Sequence, residues 1–380
     1  MKTIKRAYKF RIYPTAEQEV KIRQTIGCSR LVYNHFLAEC DTSFQSTGKR
    51  LSYGVTSKGL TSLKKVKTFL KDVDSIALQA TLEDLDDAWK RFFNKQNKRP
   101  VFKSKKRPRQ SYTTKNVNDN LKVVDVDGVP KLKVPKLGLV RVAWSRQLKE
   151  ETHIRRATIQ IRPSGKVFIS LLVEETISPL PTTNEAVGID LGVTQLATLS
   201  DGTMALNPRN LKSMEAKLIQ AQRVLSRRIE RAKKDGRPLR DAKNVQKARM
   251  KVARIHETIA NRRNDTLHKL TTEWVRRFDT IAIEDLETSK MLKNSHLARS
   301  ISDASWSTMR QMLTYKCDWH GRTLILVKPN DTSRRCHECG HIDALNRPTQ
   351  TEFACVSCGH TAHADVNGAL NILARAQGVW

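Results

Sequence analysis

At 380 residues the chain has room for two or three domains, and 39% hydrophobic residues are enough to build cores, which excludes a wholly disordered chain. Lysine and arginine number 69 against 38 acidic residues, a net charge of +31 with a pI near 10.1, and so self-repelling a protein calls for a polyanion. Nucleic acid fits. The rival polyanion, a membrane surface, would favour a basic amphipathic helix with an aromatic face or a lipid signal, and neither is evident.

In chain order, Ile4 to Tyr13 alternates and reads as a strand closed by Pro14. No apolar stretch follows the basic start Met1–Arg6, and no apolar run approaches the ~18 residues of a membrane span, so no secretory signal and an intracellular protein are expected. Thr15 with Gln18 is a capping-box signal, and helical periodicity runs to about residue 95 with a polar, glycine-containing interruption near 46–60. Leu78, Leu82, Leu85, Trp89 and Phe92 recur at four-three-four-three spacing, an apolar stripe that reads as core. The opposite face, with Lys64, Lys65, Lys67, Lys71, Lys90 and Arg91, is where nucleic acid could lie.

From Lys95 to Arg109 the chain is basic and carries no acidic residue; Lys98, Arg99, Lys103, Lys105, Lys106, Arg107 and Arg109 are candidate backbone contacts. A charge run can be only a solvated face, but Phe102 and Tyr112 in or beside it favour nucleic acid. Residues 121–175 alternate in short strands, with Asp127-Gly128 and Ser164-Gly165 as hairpin turns. They predict a small β-barrel completed by the first strand, with the helices inserted in it. Residues 176–184 read as a linker.

Beyond it, strands over Val187–Leu191, Leu196–Leu199, Thr280–Glu284 and Leu324–Val327 alternate with helices, which is α/β in class. A very basic helical hairpin over 208–270 breaks near Asp235–Pro238, and its second arm places Val245, Ala248, Val252, Ile255 and Ile259 on one face. A further helix with Trp306 and Leu313 ends at Gly321.

Two constellations carry chemistry. Cys336-x-x-Cys339 and Cys355-x-x-Cys358, with 15 residues between the pairs and each followed by glycine, predict a structural Zn²⁺ held by four thiolates; a redox dithiol pair is the alternative. His337, His341, His360 and His363 surround the set as neighbours rather than ligands, and Cys28, Cys40 and Cys317 read as reduced and buried. The second constellation is Asp190 and Glu284 at strand ends and Asp365 at a helix start, hard oxygen donors that could hold Mg²⁺. Asp285 reads as a loop cap.

Val187-Gly188-Ile189-Asp190-Leu191-Gly192, Ile283-Glu284-Asp285-Leu286, Ser305-Trp306, Tyr315-Lys316, Gly321-Arg322, Thr332-Ser333 before Cys336, and Asp365-x-Asn367 with Ala369 and Asn371-Ile372 together resemble the TnpB (OrfB) family, encoded in insertion sequences and related to type V CRISPR effectors. The resemblance is dense from about residue 184 onward and looser before it, through Tyr8–Pro14 and Leu85–Phe93. It implies an RNase H-like (RuvC) nuclease fold with Asp190, Glu284 and Asp365 as catalytic ligands of two Mg²⁺ ions. It also implies a guide RNA transcribed from the element end, and cleavage of double-stranded DNA beside a short motif. A monomer in the bacterial or archaeal cytoplasm, at the nucleoid, is the expected setting. The implied order is barrel (wedge) strand 1–14, helical recognition domain 15–95, remaining barrel 96–183, nuclease 184–331, zinc ribbon 332–360 and nuclease 361–380. His363 and Ala364 depart from the Asp and basic residue often found just before the last catalytic Asp. Two other functions stay open: a nuclease-inactive guided repressor and a guide-independent transposition accessory.

Overall fold

A computed structural model describes residues 2–106, 110–148 and 152–380. Arg107 and Arg109 lie outside the described residues. The chain divides into two units, Thr3–Glu175 and Thr176–Trp380, the latter joined by Lys2.

In the first unit, β1 (Lys2–Tyr13) leads into α1 (Ala16–Thr47), and the capping box forms: Gln18 N donates to Thr15 Oγ1 and Thr15 N to Gln18 Oε1. Gly48, at φ 68°, ends the helix, and α2 (Tyr53–Val66) begins five residues later. The break is therefore shorter than residues 46–60. Gly59 sits inside α2 as a packing device, since a Cβ there would meet a ring carbon of Phe36 at 2.8 Å. After one 3₁₀ turn, Asp74 caps α3 (Ser75–Phe93), accepting from Ile76 N. Leu78, Leu82, Leu85 and Trp89 are fully buried against Val32, Phe36 and Leu70, as their spacing dictates; Phe92 is half-buried at the margin.

The helices are inserted between β1 and β2 (Gln110–Lys115). The chain then makes β3 (Lys122–Val126), β4 (Val129–Val134), β5 (Gly138–Ala143), β6 (His153–Ile161) and β7 (Val167–Ile177). They form a seven-stranded sheet in the order β2-β6-β7-β1-β5-β4-β3, with β1 at its centre. Among the described residues no pairing joins β2 to β3, so the hydrogen bonds show a sheet where the sequence predicted a barrel. Asp127 and Gly128 both take positive φ, the two-residue turn expected between β3 and β4. Strand β2 was hidden by its polar composition: only Tyr112 and Thr114 of Gln-Ser-Tyr-Thr-Thr-Lys are buried. Phe10, Ile12, Leu132, Val140, Ile159 and Leu171 fill the sheet's core.

The second unit opens with β8 (Ala186–Asp190), β9 (Gln195–Leu199) and β10 (Met204–Leu206). There follow α4 (Asn210–Ser213), α5 (Glu215–Lys234), α6 (Lys243–Arg277), β11 (Thr280–Glu284), α7 (Thr288–Met291), α8 (Ser295–Ala304), α9 (Trp306–His320) and β12 (Thr323–Val327). The strands order as β10-β9-β8-β11-β12: β8, β11 and β12 run parallel, and β9 and β10 continue antiparallel. On α6, Val245, Ala248 and Ile259 are buried while Val252 and Ile255 are only half-buried. Short strands β13 (Glu352–Ala354) and β14 (Thr361–His363) precede the last helix, α10 (Ala364–Ala376).

Strand alternation places α10. Val187, Ile189, Ile281 and Ile283 share a core with Trp274, Trp306, Met309 and Leu313, while Ala282 packs with Ile372 of α10 on the other face. Gly188 shares that second face; a Cβ there would stand 2.1 Å from Ala369 O and 2.7 Å from Leu373 N, so only glycine lets α10 lie on β8. Asp190 and Glu284, two residues beyond Gly188 and Ala282, point to the same side. Arg322 fastens this sheet's entry, donating to Val275 O and Pro181 O and pairing with Asp279. The ammonium of Lys316 is buried on His268 O, Thr271 Oγ1 and Thr272 Oγ1. These two motif residues thus serve the fold.

Candidate active site and metal centre

Strands β8 and β11 are in register, Ile189 beside Ile283, so Asp190 and Glu284 leave neighbouring strand ends together. Asp365 stands in the first turn of α10, where His363 Nδ1 accepts from the Asp365 amide as N-cap. The residue that departs from the family's usual one therefore starts the helix. Gly368 lies against the Asp190 carboxylate: a Cβ there would come 3.2 Å from Oδ2.

Burial first, then the Glu284 and Asp365 charges, push the Asp190 carboxyl up to about 7, against the opposing pull of Arg347. Burial also raises Glu284, partly countered by the Thr332 hydroxyl and Arg375. A buried Asp190 carboxyl pushed toward its protonated form beside two further acids marks a donor set in want of a cation, and its hard oxygens suit Mg²⁺.

Two contributors were not legible in the sequence. Arg347 Nη2 donates to Asp365 Oδ1 at 3.0 Å from 18 residues upstream, with no local motif to mark it. Thr332 Oγ1 donates to Glu284 Oε1 at 2.6 Å; the Thr-Ser pair was visible in the sequence, its use was not. Asp285 pairs with Arg310 rather than capping the loop with its side chain.

The four cysteines close on one another, with Sγ of Cys336 3.7 Å from that of Cys358 and Sγ of Cys339 3.6 Å from that of Cys355. A tetrahedron with ~2.3 Å Zn–S bonds has edges of about 3.8 Å, so the thiols stand at the spacing of a zinc site. Among the described residues this is the only group of three or more metal-ligating side chains found together, its ligand atoms all within 4.8 Å of each other, and no histidine belongs to it. The two knuckles repeat: Gly340 N returns to Cys336 O and Gly359 N to Cys355 O, with φ 77° and 76°. Backbone amides, chiefly that of Cys358, hold the Cys355 thiol well below its usual range. Buried Asn346 joins the knuckles, donating to Arg334 O and His341 O and accepting from Val356 N. Asn367 and Asn371 of α10 grip the ribbon's approach through Arg335 O. Cys28, Cys40 and Cys317 are buried and free, as expected.

The basic candidates divide. Lys65, Lys98, Lys105 and Lys106 are exposed; Lys64 and Lys67 are half-buried, and Lys64 donates to Ser75 Oγ. Arg99 pairs with Asp41 and lies over Trp89, and Lys103 sits 3.8 Å from the Tyr33 ring centroid, so both have work inside the protein. Lys90 pairs with Asp86. Phe102 is exposed, but Tyr112 is 3% exposed within the sheet core and offers no stacking face. No helix of the described residues is long and apolar enough to cross a membrane.

The fold is that of compact CRISPR effectors. The chain superposes on the Cas12f1–sgRNA–target DNA complex with a TM-score of 0.59, 14% identity, and 97% and 98% of the two chains covered. The mini-RNA-guided endonuclease CRISPR-Cas phi3 gives 0.57, 11% identity, and 98% and 92% coverage. Family models match at residues 169–295 ("Probable transposase", the OrfB model), 306–372 (the Cas12f1-like TNB domain) and 1–49 (a helix-turn-helix domain). The structure of residues 2–49 is nevertheless a strand and one long helix. A Streptomyces pristinaespiralis protein named "Putative RNA-guided DNA endonuclease" is 40% identical over 98% of this chain and 90% of its own length. The Escherichia coli K12 relative InsQ, of the same description, is 36% identical over 98% and 92%. The chain belongs to the TnpB (OrfB) family.

Proposed function

We propose that this protein is an RNA-guided DNA endonuclease that cuts double-stranded DNA beside a short motif by metal-dependent hydrolysis. The observation that carries the chemistry is the convergence of Asp190, Glu284 and Asp365 on one face of a parallel strand pair. Crevices at the carboxyl ends of parallel strands are where α/β folds place their ligands. Three antiparallel strands continued by two parallel ones support the RNase H-like reading of residues 184–331 and 361–380, interrupted by a zinc ribbon at 332–360.

In this reading Asp190, Glu284 and Asp365 would hold two Mg²⁺ ions, which would supply an activated water and a counter-charge for the leaving oxygen. Asp190 must give up its proton to serve as a ligand, so burial and like charge link metal affinity to pH. Arg347, beside Asp365, offers a fixed cation to the phosphodiester as negative charge grows on it. Cys336, Cys339, Cys355 and Cys358 hold a structural Zn²⁺ with no open position.

Sequence would be read by base pairing with a guide RNA from the element end, while the protein grips backbone. In this reading residues 1–14 and 96–183 are the wedge domain, its strands paired as the seven-stranded sheet, and 15–95 the recognition helices, offering Lys64, Lys65, Lys67, Lys98, Lys105 and Lys106 to phosphates. The protein acts as a monomer.

The test expresses the protein with its flanking DNA, purifies it in high salt and sequences the retained RNA. A discrete species with a constant scaffold and a variable end, directing cleavage of matching plasmid in Mg²⁺, is expected. Random or absent RNA would overturn the guided reading.

A further inference from the structure

We propose that Thr332 is a positioning residue for Glu284, and that Asn371 of α10 holds Thr332 in place. The proposal rests on the reading of Glu284 as a metal ligand. Strand β11 ends at Glu284, so the sheet fixes its backbone but leaves three side-chain torsions free. Thr332 supplies the missing constraint. It is 3% exposed, on the segment that leaves β12 for the ribbon. Its Oγ1 stands 2.6 Å from Glu284 Oε1 and 3.1 Å from Pro329 O. A hydroxyl has one proton, and the shorter bond to a carboxylate is the stronger claim on it.

Thr332 is itself held. Asn371, 1% exposed, donates from Nδ2 to Thr332 O at 3.0 Å and to Arg335 O at 2.7 Å, committing the side-chain amide to the two ends of this segment. One turn earlier, Asn367 donates to the same Arg335 carbonyl at 2.8 Å and accepts from His337 N at 3.0 Å. Helix α10, which carries Asp365 in its first turn, therefore also sets the Glu284 side chain through Asn371 and Thr332. Glu284 and Asp365 are thereby tied to one helix, although strand β11 and helix α10 share no covalent neighbourhood. The same asparagines clasp the entry to the first cysteine knuckle, which joins the ribbon to this unit.

The test uses the protein–guide RNA complex without DNA, titrated with Mn²⁺ and followed by the electron paramagnetic resonance of free Mn²⁺. Thr332→Val keeps the shape and removes the donor; Thr332→Ser keeps the donor. Thr332→Val is expected to weaken Mn²⁺ binding about tenfold or more, as loss of an outer partner of a metal ligand does, while Thr332→Ser binds like the wild type. Thr332→Ala repeats the test should the valine variant fail to retain zinc and guide RNA. Equal Mn²⁺ affinity in all the Thr332 variants, with Glu284→Gln weakened, overturns the positioning role alone. If Glu284→Gln also binds like the wild type, the ligand reading of Glu284 fails instead.

Discussion

Arg347 of the ribbon and Asp365 of α10 form an ion pair at 3.0 Å, which puts a guanidinium beside a carboxylate that the proposed mechanism assigns to metal. Both side chains are half-buried. Removing the guanidinium leaves the carboxylates more negative, which favours cations, and removes a donor that would face a phosphate. Arg347→Ala is therefore expected to slow cleavage about a hundredfold without weakening Mg²⁺ binding. Single-turnover cleavage across a Mg²⁺ titration separates the two effects. A rise in the half-saturating Mg²⁺ concentration that restores the full rate would contradict it.

Asp190 makes the metal-free protein sensitive to pH. Its carboxyl titrates near 3.8 unfolded and about 7 folded, so between those values the folded state holds the extra proton. Stability from this group therefore falls as pH rises from about 4 to 7 and stays low above, by about 4 kcal/mol at most. Asp190→Asn is expected to raise the melting temperature in EDTA at pH 8 and to leave it unchanged near pH 4. Mg²⁺ should stabilise the wild type at pH 8 and the variant much less. Thermal melts with and without Mg²⁺ at both pH values check this.

The same residue tests the chemistry. Asp190→Ala is expected to retain guide RNA and lose DNA cleavage, because it removes a ligand from a site that remains folded. Co-purified RNA and plasmid nicking are the two readouts, and cleavage at the wild-type rate would rule out the assignment.

Loss of one thiolate opens the ribbon. Cys336→Ser is expected to drop zinc from about one ion per chain to well below that and to lower the melting temperature, since metal-binding free energy is folding free energy. Elemental analysis of the purified protein and a thermal melt decide it.

Gly188→Ala would place a methyl 2.1 Å from Ala369 O, a contact no rotamer relieves because the neighbour is backbone. We expect a loss of about 3 kcal/mol or more in denaturant titration, with cleavage reduced even where the protein is folded, since α10 and Asp365 must shift away from β8. An unchanged midpoint would show that the helix is not seated as described.

The sequence by itself determined the elements with strong local signatures and the residues whose chemistry has a spacing. The Thr15–Gln18 capping box, the Leu78–Trp89 stripe and the paired Cys-x-x-Cys knuckles each arise from interactions within a few residues, or from a repeat that admits few geometries. The carboxylates were legible as strand-end and helix-start acids, and the order of motifs around them identified the family. What tertiary structure alone decided was which distant groups meet. Strand β2 is polar and is fixed by pairing with β6 and by burying Tyr112 and Thr114. Gly59 reads as a breaker until Phe36 is seen across from it, and Tyr112 reads as a stacking aromatic until the sheet buries it. Arg347 reaching Asp365, and Asn371 holding Thr332 against Glu284, leave no trace in spacing. A long-range hydrogen bond constrains positions in space, and the chain between its partners can take any length.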